Sequence, residues 1–189
     1  MKDQIENIIK SSIATKQRLL ETEILNIENA VRLIQECIKK GGKLLIFGNG
    51  GSAADSQHIA AEFIGRFKLE RKALPALALT SNTSTLTALS NDYDYKITFK
   101  RQIEALGNKG DIALAISTSG NAKNVIEAVK IAKEKGLIAI ALTGKNGGAL
   151  RPLCDTAIIV NSQDTARIQE AHILIGHIIA ELVESNLPR

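Results

Sequence analysis

The chain has 189 residues, of which 44% are hydrophobic, 23% charged and only 3% aromatic, with no tryptophan. That length and composition fit one globular domain that folds without disulfides or metal, and they exclude a disordered chain. Four Phe and two Tyr are too few for a base-stacking platform, and 24 basic against 20 acidic residues, scattered to a net +4, describe a mildly basic solvated surface rather than one built for nucleic acid.

The N-terminal residues Met-Lys-Asp-Gln-Ile-Glu-Asn do not form a secretory signal, and no apolar run is long enough to span a membrane. Cys37 and Cys154, far apart and without CxxC spacing, are expected as buried thiols in a reducing compartment, and the expected location is the cytoplasm. From residue 1 to about residue 40 there is no Gly or Pro, and Ile5, Ile8, Ile9, Ile13, Ile24, Ile27, Val31, Ile34 and Ile38 recur at helical spacing. This predicts an N-terminal helical extension, residues 1–40, made of two helices with a break near Thr22 and an apolar stripe that needs a partner surface.

From residue 41 to 189 the pattern changes. Short apolar runs at 43–47, 75–80, 111–117, 138–143 and 156–161 alternate with helical stretches at 52–65, 97–106, 122–135 and 165–184. Continuous apolar runs suit strands covered on both faces, and their alternation with helices predicts a three-layer αβα fold around a five-stranded parallel sheet of the flavodoxin or Rossmann kind. Ligands of such sheets bind beyond the carboxyl ends of the strands.

Two loops at those ends look suited to an anion. Gly48-Asn49-Gly50-Gly51-Ser52 places three glycines and a serine between a strand and a helix, with Ser52 expected at or near the N-cap. It matches neither GxGxxG nor the Walker A pattern, which disfavours a nucleotide. Ser117-Thr118-Ser119-Gly120-Asn121 offers three successive hydroxyls at a second helix entrance, more than capping requires. Hydroxyls and amides suit the phosphate of a sugar monoester better than a triphosphate.

The chain has only three histidines. His58 and Glu62 are four apart on one predicted helix, either a surface pair, a metal-ligand pair or a general base with its neighbour. Gln169 and His177 lie eight apart on the last helix, about 80° around its axis and roughly 12 Å along it, so that they can flank one pocket. His172 faces elsewhere and is expected to pack.

Taken in order, Gly48-Asn49-Gly50-Gly51-Ser52, His58-x-x-x-Glu62, Asn91-Asp92, Ser117-Thr118-Ser119-Gly120-Asn121, Leu142-Thr143-Gly144 and Arg167-Ile168-Gln169-Glu170-x-His172-x-x-x-x-His177 resemble the bacterial phosphoheptose isomerase family of the SIS (sugar isomerase) fold. The resemblance covers essentially the whole chain. It implies an aldose–ketose isomerase that converts sedoheptulose 7-phosphate to D-glycero-D-manno-heptose 7-phosphate for surface polysaccharide. It further implies phosphate binding by Ser52, Ser117, Thr118 and Ser119, and sugar contacts from Asn49, Gly50, Gly51, Asn91, Asp92, Gln169 and Glu62. A zinc ion would be held by His58, Glu62, Gln169 and His177, with Glu62 and His177 as the catalytic pair. A homotetramer with active sites between subunits is implied as well. Ala122 departs from the pattern, standing where the family often has another phosphate-binding serine. The alternative is a non-catalytic SIS adaptor that binds the replication initiator; such relatives lack the glutamate and histidine found here as Glu62 and His177.

Overall fold

The computed structural model describes residues 1–186, so the last three residues of the expected 41–189 unit lie outside the described residues. The strands are β1 (Leu44–Gly48), β2 (Ala76–Ala78), β3 (Ile112–Ser117), β4 (Ile138–Gly144) and β5 (Thr156–Val160). The helices are α1 (Lys2–Thr22), α2 (Ile24–Lys39), α3 (Gly51–Ile64), α4 (Thr83–Asp92), α5 (Thr98–Leu106), α6 (Lys123–Glu134) and α7 (Thr165–Ser185). All strand pairs are parallel, in the order β2-β1-β3-β4-β5. This is the flavodoxin-like order, whose topological switch point lies between β1 and β3.

The two central strands show why the layers form as they do. β3 reads Ile-Ala-Leu-Ala-Ile and β4 Ile-Ala-Ile-Ala-Leu, with Ile112 in register with Ile138 and Ala113 with Ala139. Successive side chains point to opposite faces, so one face of the sheet is bulky and the other is largely alanine. On the bulky side, Leu44, Ile46, Ile112, Leu114, Ile116, Ile140 and Leu142 pack with residues of α2, α3 and α7. On the other, Leu45, Phe47, Ala113, Ala115, Ala139 and Ala141 pack with Phe99 and Ile103 of α5 and Val125, Ala128, Val129 and Ala132 of α6.

The N-terminal segment breaks at Glu23, next to the expected Thr22. The Glu23 carboxylate accepts hydrogen bonds from Asn26 Nδ2 at 2.8 Å and from the Ile159 N–H at 3.2 Å, which ties the break to β5. Beyond it, Ile27, Ala30, Val31, Ile34 and Cys37 of α2 are buried in the bulky-side core. Before it, Ile5, Ile8, Ile9 and Ile13 of α1 are all at least half exposed. α4 is a helix that the sequence pattern did not suggest, and it has no buried residue. Both cysteines are free, Cys37 buried and Cys154 partly so; burial pushes their thiols up to about 11 and about 12. No helix among the described residues is long and apolar enough to cross a membrane.

Truncating a fully buried α2 side chain tests whether α2 belongs to the core. Ile34→Ala is expected to cost about 2–5 kcal/mol by denaturant unfolding, the range for a cavity in a packed interior. A cost below about 0.5 kcal/mol, ordinary for a surface position, would show α2 to be an appendage.

Candidate active site

The loops after β1 and β3 meet at the switch point. Asn49, Ser52, Ile116, Ser117, Thr118, Ser119, Ala122 and Gln169 line a cleft of about 200 Å³ there. No lysine or arginine is among these lining residues. An anion in the cleft would therefore be held by hydroxyls, backbone amides and helix N-termini. The two helices that start at the cleft are suited to this. α3 follows Gly50 and α6 follows Ala122, and neither N-terminus carries a side-chain cap. By contrast, Asn82 caps α4 and Asp164 caps α7, each by accepting a backbone N–H. Ser52, expected at or near the N-cap, is the second residue of α3, two positions past the N-cap Gly50, and is buried against the loop. Ala122 reaches the cleft wall with a methyl group only.

The β3 loop is clamped from behind by the segment after β4. Leu150 N–H donates to the Gly120 carbonyl at 2.9 Å, and Ala149 N–H to Asn121 Oδ1 at 3.0 Å. Gly120 has φ +64, and a Cβ there would strike the Gly147 carbonyl. The β1 loop is fixed by a reciprocal amide pair: Asn49 Nδ2 donates to Asn124 Oδ1 at 2.9 Å and Asn124 Nδ2 to Asn49 Oδ1 at 2.8 Å. Tyr95 adds its hydroxyl, donating to Asn49 Oδ1 at 2.9 Å. Sequence reasoning missed Asn124 and Tyr95; Asn124 is buried in the first turn of α6, and the only sequence signal was a polar residue just before the apolar Val125-Ile126.

A second group lies further along α3 and α7. Gly176 on α7 faces Ile59 on α3 so closely that a Cβ would come within 2.7 Å of the Ile59 side chain. This approach brings His58 and Glu62 of α3 against His177 of α7. His58 Nε2 is 2.9 Å from Glu62 Oε1 and 3.3 Å from His177 Nε2. One potential ligand atom from each of the three lies within 4.8 Å of the others. The three are not among the residues that line the cleft; they sit beside it, on the two helices that contribute Ser52 and Gln169 to its wall. In the single chain the Glu62 side chain keeps 23% of its exposure and the His58 side chain 49%. Two imidazole nitrogens and a carboxylate, converging with an open side, are a donor set that suits zinc.

The remaining expected residues divide. Gln169 presses its amide against Gly51 and forms part of the cleft wall, eight positions before His177 on the same helix. Gly50 and Gly51 form the turn into α3. Asn91 and Asp92 end α4, exposed, with Asn91 Nδ2 donating to Asp92 Oδ1 at 2.9 Å, and do not reach the cleft. His172 is fully buried, with Nε2 at 3.0 Å from the Thr143 carbonyl and Nδ1 unpartnered. Burial pushes its imidazole down to about 4, so it stays neutral and ties α7 to the end of β4.

Comparison with known proteins identifies the family and the fold. The SIS domain family model matches residues 8–144. A phosphoheptose isomerase from Clostridium acetobutylicum is 53% identical over 189 residues, covering 99% of this chain and 96% of the relative. Among solved structures, phosphoheptose isomerase GmhA from Neisseria gonorrhoeae superimposes with a TM-score of 0.93 at 42% identity, covering 97% of this chain and 98% of that one. A phosphoheptose isomerase from Francisella tularensis gives 0.94 at 37% identity, with the same coverage of both chains.

Two measurements check the site. Gly120→Ala is expected to raise KM for a sugar phosphate at least about tenfold, since the left-handed φ and the blocked Cβ force the hydroxyl loop to move; an unchanged KM would remove this loop from the anion site. His172 is depressed from 6.5 to about 4 in the fold, so the unfolded chain binds the extra proton. Its contribution to stability is complete above pH 6.5 and is lost as pH falls from there to about 4. In thermal melts across that window, His172→Gln, which keeps a donor for Thr143, is expected to show a shallower acid-side loss.

Proposed function

Because the chain belongs to the SIS-domain phosphoheptose isomerase family, we propose that it interconverts sedoheptulose 7-phosphate and D-glycero-D-manno-heptose 7-phosphate. It is a sugar-phosphate isomerase. The observation that carries the reading is the pairing of an uncharged anion cleft with a His58–Glu62–His177 cluster on the two helices that border it.

The cleft would take the phosphate, with Ser52, Ser117, Thr118 and Ser119 supplying hydroxyls and α3 and α6 supplying N-terminal amides. Asn49, Gln169 and the Gly50–Gly51 turn would face the sugar hydroxyls. Asn91 and Asp92 would join them only by approaching from another part of the assembly. The reaction moves one proton from C1 of the ketose to C2 of the aldose through an enediol, so it needs one group to take and return the carbon-bound proton and another to serve the two oxygens. Glu62 is the base in this reading: with one carboxylate oxygen turned toward His58 or the metal, the other is left for the proton. His177 would shuttle the proton between O1 and O2. The approach of their ligand atoms to within 4.8 Å supports His177 and Glu62 acting on the same end of the sugar.

We assign zinc to the same cluster, with His58, Glu62 and His177 as donors and Gln169 as the fourth that the family resemblance implies. A bound zinc ion would polarise the substrate oxygens and stabilise negative charge on the enediolate. A homotetramer is part of the proposal, supported by the exposed Ile5, Ile8, Ile9 and Ile13 on α1 and by the exposure of His58 in a single chain. We place the enzyme in the cytoplasm, supplying heptose for surface polysaccharide. The adaptor alternative gains no support from relatives that carry the isomerase name over their full length.

The test is a coupled assay with sedoheptulose 7-phosphate, with and without chelator, on the wild type and on Glu62→Gln. The wild type is expected to form heptose 7-phosphate and to lose activity on chelation. Glu62→Gln is expected to lose at least about 10³-fold in kcat, the scale of a lost general base, while still binding the sugar phosphate. Near-wild-type turnover by Glu62→Gln would remove the base assignment.

A further inference from the structure

Beyond the cluster, α3 and α7 are joined a second time by a buried ion pair. The Glu184 carboxylate, on α7 two turns past His177, is wholly buried, and the Arg71 side chain is only 6% exposed. Glu184 accepts N–H donors from three successive residues: Phe67 at 3.0 Å, Lys68 at 2.6 Å and Leu69 at 2.7 Å. Arg71 Nε adds a fourth bond at 3.1 Å. Burial pushes this carboxyl up, but the three amides and Arg71 together outweigh it and hold it below its usual value. Arg71 then turns its remaining nitrogens onto the C-terminus of α3. Nη2 donates to the Glu62 carbonyl at 2.8 Å, and Nη1 to those of Phe63 at 2.8 Å and Gly65 at 3.0 Å. These are the carbonyls that a helix end leaves without partners.

The segment held in this way carries Phe67, whose ring stacks on His177 with centroids 5.3 Å apart and planes at 29°. Lys68 Nζ stands 5.7 Å from the same ring centroid and is bonded to Glu181 at 2.8 Å. Among the described residues the His177 ring makes one hydrogen-bonding contact, through Nε2 to His58. Histidines in metal and proton-transfer sites usually have their orientation set by a bond at the second ring nitrogen. Here an aromatic face stands in for that bond. Taking a carboxylate and a guanidinium out of water is costly, and apolar residues of similar size fill a core as well or better. A pair that reaches backbone groups at Glu62 on one side and at Phe67 on the other has a task that packing alone does not explain.

We propose that Glu184 and Arg71 are positioning residues, which hold the 65–71 segment so that Phe67 fixes the ring plane of His177 opposite Glu62. The proposal rests on the isomerase reading for its catalytic consequence but not for its structural one, and two experiments separate them.

The first uses histidine labelled with 13C at Cε1. The chain has three histidines, so its spectrum holds three resonances. Phe67→Leu is expected to remove the ring-current shift on His177 and so to identify its signal, and Phe67→Tyr to retain it. Glu184→Gln and Arg71→Lys are then expected to move that same signal toward the Phe67→Leu position, while the buried His172 signal stays in place. A His177 signal unmoved by Glu184→Gln and Arg71→Lys, in chains that remain folded by circular dichroism, would overturn the proposal.

The second experiment is steady-state kinetics well below each variant's melting temperature. Phe67→Leu and Glu184→Gln are expected to lower kcat by about ten- to a hundredfold with KM little changed, since a small misplacement of a reacting group costs about that much. Phe67→Tyr is expected to restore most of it. Unchanged kcat, or a loss in KM alone, would overturn the catalytic half. Absence of isomerase activity in the wild type would overturn the isomerase reading instead, with the resonance shifts still deciding whether the pair positions the ring.

Discussion

The close approach of α3 to α7 is the contact on which the site depends. It is possible because Gly176 offers no Cβ against Ile59, a residue that is itself 1% exposed. Close packing and dispersion between the two helices then hold them at that short separation. His58 and Glu62 on one helix meet His177 on the other only at that separation. The N-termini of α3 and α6 supply the uncapped amides of the anion cleft, and Gln169 near the start of α7 closes its wall. One packing decision therefore places both the proposed binding groups and the proposed reacting groups.

The sheet makes the decision local. A parallel β2-β1-β3-β4-β5 order gathers every strand's carboxyl end at one pole, and the switch between β1 and β3 opens the crevice there. The bulky and alanine faces of β3 and β4 give α6 and α7 different seats, with α6 on the alanine side and α7 on the side that also carries α2 and α3. Charge is used sparingly. The cleft wall contains no cation, and the most deeply buried ion pair in the neighbourhood, Arg71 with Glu184, serves to hold backbone. An anion met by amides and hydroxyls is oriented by hydrogen-bond direction, whereas a lysine would attract it from many angles.

The elements that position the site were legible in the sequence because they rest on local signals. The five strands announce themselves as short apolar runs, and the glycine and hydroxyl loops follow two of them directly. His58 and Glu62 are neighbours by helix geometry alone. What escaped depends on long-range contacts. α4 escaped because none of its residues is buried and Leu86 and Leu89, both only half-buried, are too few to set an apolar period. Ser52 reads as a cap but falls inside the helix because Gly50 makes the turn. The Asn49–Asn124 pair joins residues far apart in the chain, and the Arg71–Glu184 pair joins residues further apart still. Two charged residues at such a distance look like ordinary surface in a sequence. Asn91 and Asp92 show the reverse, a motif recognised by resemblance that one chain does not bring to the cleft.

The central claim is that Glu62 and its neighbours move a proton between adjacent carbons through an enediol. Running the reaction from sedoheptulose 7-phosphate in heavy water, and reading the heptose 7-phosphate by NMR and mass, tests it most directly. A base that exchanges its proton with solvent before returning it leaves deuterium at C2 of the product, and that is the result expected. Product formed at full rate with only protium at C2 would contradict a base open to solvent at Glu62, as the account has it.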